Sequence, residues 1–426
     1  MVVDSWFLRP QRKNQIGAFP RGGGQAGGQP MATAEAVVIG GGIVGASTAH
    51  YLARKGLKGV MLLEREAIAS GATGRTGGLV RMHYTNRPET EMALWSRGVF
   101  QHWGDLIGGD SGFRQTGFVF VVGPQDVEGL RRNVAMQREV GVQQEVLTPA
   151  ELKTLLPAWA AADVGAATYE PESGHADGHL AATSMACRAA DLGVTVRQGV
   201  AATRIVVRAG RVMGVETAEG IIETHTLVLA AGAWSAALAR TAGVELPLEV
   251  MMLAVGVVER PPSLSALHPA CIDTIQGIYF RPEGDNLTLL GDSRFEERDD
   301  PSVDPSSYPS EPPEGWSADA ASRMTRRVPP LADGLWRRTW IGVDGRTPDG
   351  CMILGQAPGV EGLYLACGMN GHGFKTGPSV GLVMAELIVD GHATTVDIRP
   401  FRPSRFAEGQ PIKPLYEYAS PFRASR

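Results

Sequence analysis

Gly40-Gly41-Gly42-Ile43-Val44-Gly45 constrains this chain more than any other stretch. The run before it, Ala36-Val37-Val38-Ile39, is apolar and β-branched and reads as a buried parallel strand. Residues 43–55 then place Ala46, Ala49, Tyr51 and Leu52 at helical spacing, and Gly56 supplies the stop. Val60-Met61-Leu62-Leu63 is the next strand. Together these make a βαβ unit of about 30 residues. Gly40, Gly42 and Gly45 fit the G-x-G-x-x-G pattern of dinucleotide sites. The first glycine permits the tight turn, the second lets main chain approach a pyrophosphate, and the third lets helix and strand pack closely. The helix start at Ile43 and Val44 offers free N–H groups and a positive dipole end to the phosphates. Glu64 closes the second strand roughly 20 residues past the glycines, where an acidic ribose ligand belongs. A carboxylate there repels a 2′-phosphate, which disfavours NADP.

The remaining composition narrows the class. The chain has 426 residues, a formal net charge of −5 and 43% hydrophobic content, which allows one large or two medium domains. That charge balance gives no reason to expect a nucleic-acid partner. Four cysteines, Cys187, Cys271, Cys351 and Cys367, form no Cys-x-x-Cys pair, so they suggest neither a zinc site nor a disulfide framework. They fit free thiols in a reducing compartment, and a cytoplasmic location is expected. No apolar run reaches the roughly 18 residues of a membrane span. Residues 1–32 are Gly-, Gln- and Arg-rich without an apolar core, so they read as a disordered tail rather than a secretory signal. Met31, just ahead of the first strand, is a candidate natural start.

Further along, the character alternates. Residues 113–122 look like antiparallel sheet broken at Thr116-Gly117, residues 180–192 like a helix, and Val194-Thr195-Val196 like a strand. Residues 205–215 carry a hairpin signal around Gly210. Thr226-Leu227-Val228-Leu229 returns to buried parallel-strand character. Residues 246–258 and 277–290 are β-rich, 296–313 read as a long surface loop, residues 362–366 as a last buried strand and 376–389 as an apolar helix. The expected fold class is α/β plus β: a Rossmann-like nucleotide domain made of 33–110, 168–245 and 340–395, interleaved with a mainly antiparallel β-sheet substrate domain made of 111–167 and 246–339. Residues 396–426 are expected as a C-terminal tail.

Only one nucleotide fingerprint is present, which argues against a two-nucleotide reductase. The next loop, Ser70-Gly71-Ala72-Thr73-Gly74-Arg75-Thr76-Gly77-Gly78, is flexible, hydroxyl-rich and carries one Arg, which suits an elongated cofactor. At this loop the sequence resembles the D-amino-acid oxidase and sarcosine oxidase family of flavoproteins, most of all its sarcosine oxidase branch. The resemblance runs from about Ala34 to Gly391 and is carried by residues 37–64, 70–84, LVLAAGAWS at 227–235, and 347–381 with TPDGCMILG and GMNGHGFKTGPSVG. It implies FAD, a two-domain fold and flavin reduction by an amine. The cofactor contacts it implies extend to Arg65, Ser70, Thr73, Arg75, Thr76, Gly77, Val200, Ala231, Gly232, Trp234, Gly371, Gly373 and Lys375.

The resemblance also implies the substrate grip. Arg81 falls on a carboxylate-binding arginine of the family, Tyr84 on a tyrosine beside it, and Lys375 on a second carboxylate cation. An Arg fork holds a carboxylate bidentately and a Lys adds a point charge. The helix beginning near Lys375 would turn its positive end to the flavin pyrimidine, where reduced flavin is anionic. His372 is a candidate for orienting substrate, and His83, Tyr84 or His372 for accepting the ammonium proton. Hydride would then pass to flavin N5, and water would hydrolyse the released imine. Tyr279 and Arg281 are expected to line the pocket from the β domain.

Three departures shape the expectation. Gly342 stands where part of the family tethers flavin through a cysteine, and Gly178, between His175, Asp177 and His179, stands where another part uses a histidine. Cys351, past the motif, is read as merely packed. FAD is therefore expected to be held non-covalently. Asn286-Leu287-Thr288-Leu289-Leu290 lacks the family's oxygen-activating lysine, so the acceptor is O2 or another electron carrier, and both oxidase and dehydrogenase stay open. The expected substrate is a small amino acid or N-substituted amino acid. The alternatives are a flavoprotein subunit of a hetero-oligomer or an assembly factor without amine-oxidising activity of its own.

Overall fold

The computed structural model describes residues 32–264, 267–292 and 303–419. Most of the expected tail at 1–32 and part of the expected loop at 296–313 lie outside the described residues.

Two large sheets organise the fold. The first has six strands in the order Ile353–Gln356, Leu363–Cys367, Leu227–Leu229, Ala36–Ile39, Val60–Glu64 and Thr195–Gln198. All neighbours run parallel except Ile353–Gln356, which is antiparallel to Leu363–Cys367. The central strands are apolar on both faces because both are covered: Ala36–Ile39 and Leu227–Leu229 are buried throughout. The helices Ile43–Arg54, Gly178–Asp191 and Gly373–Val389 pack together on one face. A small antiparallel sheet of Ala202–Arg208, Arg211–Thr217 and Gly220–Glu223 shares the apolar cluster on the other face.

The second sheet has eight strands in the order Leu335–Arg346, Glu249–Glu259, Leu287–Asp292, Ile278–Glu283, Ala270–Asp273, Phe118–Val122, Ala166–Glu170 and Glu145–Leu147. It is antiparallel save for one pair, Phe118–Val122 beside Ala270–Asp273, which runs parallel. The stretch read as sheet over 113–122 is therefore strand only from Phe118, and one of its two partners is parallel. Leu335–Arg346 straddles residue 340, and Ala166–Glu170 straddles 168, so two expected domain boundaries fall inside strands of this sheet.

Helices not read from the sequence include Arg87–Gln101, Val127–Val140, Pro149–Leu155 and Trp316–Arg327. The last packs on the eight-stranded sheet through ionic groups. Arg323 and Arg327 are fully buried, Arg323 Nη1 lies 2.8 Å from Asp292 Oδ1, and Arg327 Nε lies 2.6 Å from Asp273 Oδ2. The stretch from 396 is no loose tail as far as 419. Arg405 is buried and its guanidinium meets Asp349 at 2.8 and 2.9 Å, while the Tyr418 hydroxyl lies 2.9 Å from His83 Nε2.

Candidate active site

The glycine turn behaves as its spacing predicts. Gly40 adopts φ +112°, and a Cβ there would stand 2.3 Å from the Ala230 carbonyl oxygen. A Cβ on Gly45 would stand 1.9 Å from the Gly40 oxygen, so helix and turn approach as closely as main chain allows. Gly42 is the N-cap of the helix Ile43–Arg54, and the Ile43 amide donates to Thr73 Oγ at 3.1 Å. Glu64 accepts from the Gly41 amide at 2.7 Å through one oxygen and from the Glu66 amide at 2.8 Å through the other. Its carboxylate braces the turn and keeps lone pairs for ribose hydroxyls. The Val200 amide donates to the Glu64 carbonyl at 2.9 Å, which places that residue beside the carboxylate.

One cavity of ≈ 540 Å³ joins this turn to the loop before the last helix. Gly40, Gly42, Ile43, Val44, Glu64, Arg65, Val200, Ala231, Gly232 and Trp234 line it on the turn's side. The Arg65 guanidinium stacks 4.0 Å from the Trp234 ring, and the Trp234 indole N–H donates to Ser306 Oγ at 2.8 Å. Ser70, Thr73, Arg75, Thr76 and Gly77 form its middle, and Gly371, Gly373 and Lys375 line its far end. Gly45 alone among the expected cofactor residues does not line it and serves packing. The glycine cradle and two helix N-termini, of Ile43–Arg54 and Gly373–Val389, fit an extended dinucleotide such as FAD.

The cations stand at the far end. Arg81 and Lys375 are buried and both line the cavity. The Arg81 guanidinium lies 4.6 Å from the Tyr84 ring and also donates to the His83 carbonyl. The Lys375 ammonium donates to the Gly371 carbonyl at 3.2 Å and lies 5.9 Å from the Tyr84 ring. Burial and the Arg81 charge hold Lys375 well below the usual lysine range, against the pull of Glu89 and Asp344. Asp344 accepts from the Gly371 and Gly345 amides at 2.8 Å each, and burial pushes its carboxyl up. Glu170 accepts from the Met82 amide at 2.9 Å and is raised by burial too.

Not every expected residue reaches the cavity. Tyr84 is fully buried one layer behind the wall, under Arg81 and beside His372, whose ring centroid lies 5.0 Å away. Its hydroxyl has no hydrogen-bond partner among the described residues, and burial drives the phenol's pKa far up. His83 stacks on Phe120 at 4.1 Å, bonds Tyr418 and does not line the cavity. Neither is placed to take a proton from a ligand. Arg281 also stays behind the wall, where its Nε donates to the Gly77 carbonyl and braces the loop. Tyr279 does line the cavity, with its ring wedged between Gly77 and Gly291. His372 lines it as well, and its Nδ1 lies 3.0 Å from a Glu89 carboxylate oxygen. Sequence reasoning missed Glu89 and Asp344. Asn86-Arg87-Pro88-Glu89 is a helix-start signature that would have placed Glu89, but not its partner.

The positions that tether flavin elsewhere carry no nucleophile here. Gly342 faces Arg75 across the cavity wall. A side chain at Gly178 would meet the Thr73 carbonyl at 1.9 Å. Cys351 is buried outside the cavity lining, and burial raises its thiol well above the ordinary range. Among the described residues no cluster of metal-ligating groups occurs, and no helix is long and apolar enough to cross a membrane.

The family model for DAO, FAD dependent oxidoreductase, matches residues 35–387. The chain belongs to this family. It is similar to human mitochondrial sarcosine dehydrogenase, 32% identical over 395 residues that cover 87% of this chain and 42% of that protein. The chain thus spans less than half the length of that relative. It is similar to the sarcosine oxidase subunit beta of Rhodobacter capsulatus, 26% identical over 90% of this chain and 91% of that one. Among solved structures, L-proline dehydrogenase from P. horikoshii superimposes with a TM-score of 0.82 at 28% identity, covering 90% of this chain and 100% of that one. This DAO-family flavoprotein therefore has the Rossmann-like FAD-binding layer and the sheet domain that its sequence led us to expect.

Proposed function

We propose that this chain oxidises the carbon–nitrogen bond of a small carboxylate-bearing amine, an amino acid or N-substituted amino acid of the sarcosine, dimethylglycine or imino-acid kind. The observation that carries the proposal is the placing of two buried cations, Arg81 and Lys375, at the end of the glycine-cradled cavity where the last helix begins. FAD, held without a covalent bond, supplies the hydride acceptor.

The residues would act as follows. Arg81, whose guanidinium also donates to the His83 carbonyl, would hold the substrate carboxylate through its planar fork. Lys375 adds a point charge from the helix start. A carboxylate arriving between them raises the lysine's affinity for its proton, so binding and protonation are linked. The same cations lower the amine pKa and favour the free amine, whose lone pair must form the C=N bond as hydride leaves. Water then hydrolyses the released imine. Tyr279 closes the wall opposite and Arg281 fixes the Gly77 loop, so positioning supplies most of the rate gain. Electrons leave to O2 or another acceptor.

Anaerobic mixing of the FAD-loaded protein with sarcosine, dimethylglycine, L-proline and D-alanine tests the proposal. At least one should bleach the flavin's visible bands; bleaching by none would overturn it. The likeness to a sarcosine oxidase subunit beta over nine-tenths of both chains favours a second reading, a flavoprotein subunit of a hetero-oligomer. Co-purification of a stoichiometric second polypeptide from the native source would support it.

A further inference from the structure

We infer that residues 303–310 form a strap that retains FAD, with Ser306 latching it to Arg65 and Trp234 at the adenosine end of the cavity. The inference goes beyond the proposed amine oxidation. It concerns how the cofactor stays bound, and it shares with that proposal only the reading that FAD is held without a covalent bond.

The strap is rooted in the sheet domain and touches the nucleotide layer at its tip. At its base the Ser310 carbonyl accepts from the Ile341 amide at 3.0 Å. Ile341 lies on Leu335–Arg346, an edge strand of the eight-stranded sheet, whose outer amides need partners. Tyr308 packs against the apolar cluster of that sheet. The tip is a tight turn in which Asp304 accepts twice: its side chain from the Ser306 amide at 2.8 Å and its carbonyl from the Ser307 amide at 2.9 Å. From this turn the Ser306 hydroxyl oxygen accepts from the Trp234 indole N–H at 2.8 Å and from Arg65 Nη1 at 3.4 Å. Pro305, Ser306 and Tyr308 line the same cavity as the glycine turn.

The latch stands at the adenosine end. Arg65 directly follows Glu64, whose carboxylate suits the ribose hydroxyls, and Trp234 ends the short helical turn Gly232–Trp234 after the strand Leu227–Leu229. The Arg65 guanidinium stacks on the Trp234 ring at 4.0 Å, so the two donors that meet Ser306 also hold each other. Gly342 and Gly178 offer no side chain for a covalent tether, so retention falls to the walls of the cavity. Release of a cofactor held in this way waits on a wall that opens, and its rate follows the open fraction. Both bonds to Ser306 lie at an exposed hydroxyl and are individually weak. Deleting them raises the open fraction without touching the glycine cradle.

Ser306→Ala removes the latch and keeps the rest of the strap. A second variant, Pro305→Gly with Ser306→Gly, also loosens the turn. FAD release from the loaded full chain is read as free flavin absorbance in the filtrate on repeated dilution and ultrafiltration. Release should be roughly 3- to 10-fold faster from Ser306→Ala, the worth of a hydrogen bond, and faster still from the double variant. Hydrogen exchange at 303–310 should slow in the wild type when FAD is added, and should slow less in Ser306→Ala. Release at the wild-type rate from both variants, or exchange at 303–310 indifferent to FAD, would overturn the inference. Flavin that precipitates with the acid-denatured polypeptide would overturn it too, together with the non-covalent reading. Flavin that no amine bleaches would break the proposed function alone, while the release rates and the exchange would still decide the role of the strap.

Discussion

The two ends of the cavity are built by opposite means. At the nucleotide end, recognition is made by main chain: Gly40 and Gly45 bring turn and helix into contact, and Glu64 bonds the amides of the turn itself. At the end where we propose the substrate binds, the wall is built around buried ionisable groups brought together from separate parts of the chain, Arg81 and Glu89, Asp344, and Lys375. A backbone cradle depends on missing side chains and local spacing. A charge cluster depends on the whole fold bringing its members together, and each member costs desolvation unless the others are present. The first end should therefore fail by steric exclusion, and the second by loss of charge balance.

Substitutions can break that contrast. Gly45→Val should have the largest effect on cofactor content. Its side chain would enter the space held by the Gly40 carbonyl, so the purified protein should carry no flavin, with its thermal midpoint lowered by an overpacking cost of about 1–3 kcal/mol. Retention of full FAD content, read from the visible bands, would contradict the backbone-cradle account.

Arg405→Ala should cost about 3–5 kcal/mol in denaturant titration, because it leaves the Asp349 carboxylate buried and unpaired. Burial works to raise the Asp349 pKa, but the Arg405 bonds and charge, with the Ile412 and Cys351 amides, win and hold it below the usual range. A lowered folded pKa contributes stability above the unfolded value of about 4. That contribution is lost as pH falls through the folded value. The wild type should therefore lose more stability on acidification than Arg405→Ala does.

Arg81→Ala should raise the Michaelis constant roughly 10- to 100-fold, the worth of a charge-assisted hydrogen bond, with FAD content unchanged. An unchanged constant would show that the carboxylate is gripped elsewhere. Lys375 sharpens the same point. Its lowered pKa means that its charge is lost as pH rises through that value, so the wild-type Michaelis constant should climb with pH in that window. Tyr84→Phe should have the smallest effect. The hydroxyl it deletes is buried without a partner among the described residues, so stability should change by less than about 1 kcal/mol and the Michaelis constant hardly at all.

The same contrast explains what could be read from the sequence. The strands Ala36–Ile39, Val60–Glu64, Leu227–Leu229 and Leu363–Cys367 are continuous apolar runs, and the glycine turn has fixed spacing, so all were legible locally. The helix Trp316–Arg327 was not, because its inward face carries Arg323 and Arg327, whose partners lie on strands far away in sequence. The helix Val127–Val140 likewise buries Asn133 and Gln137 where an apolar stripe would have announced it. At the site, Arg81 and Lys375 were found through family resemblance rather than spacing. The Glu89–His372 contact spans 283 positions, and no local pattern reports it. Arg281 was expected to line the pocket from its strand but lies behind the cavity wall, since alternation along a strand does not say which neighbour covers a side chain; Tyr84, expected from family resemblance, lies behind the wall as well.

The carboxylate clamp is the centre of the account, and a matched pair of ligands tests it most directly. An amino acid that bleaches the flavin anaerobically would be compared with its methyl amide, which keeps the amine and removes only the negative charge. The account predicts fast reduction by the acid, loss of at least roughly 10-fold in apparent affinity for the amide, and no discrimination between the two by Arg81→Ala. Equal reduction of the wild type by acid and amide would contradict it.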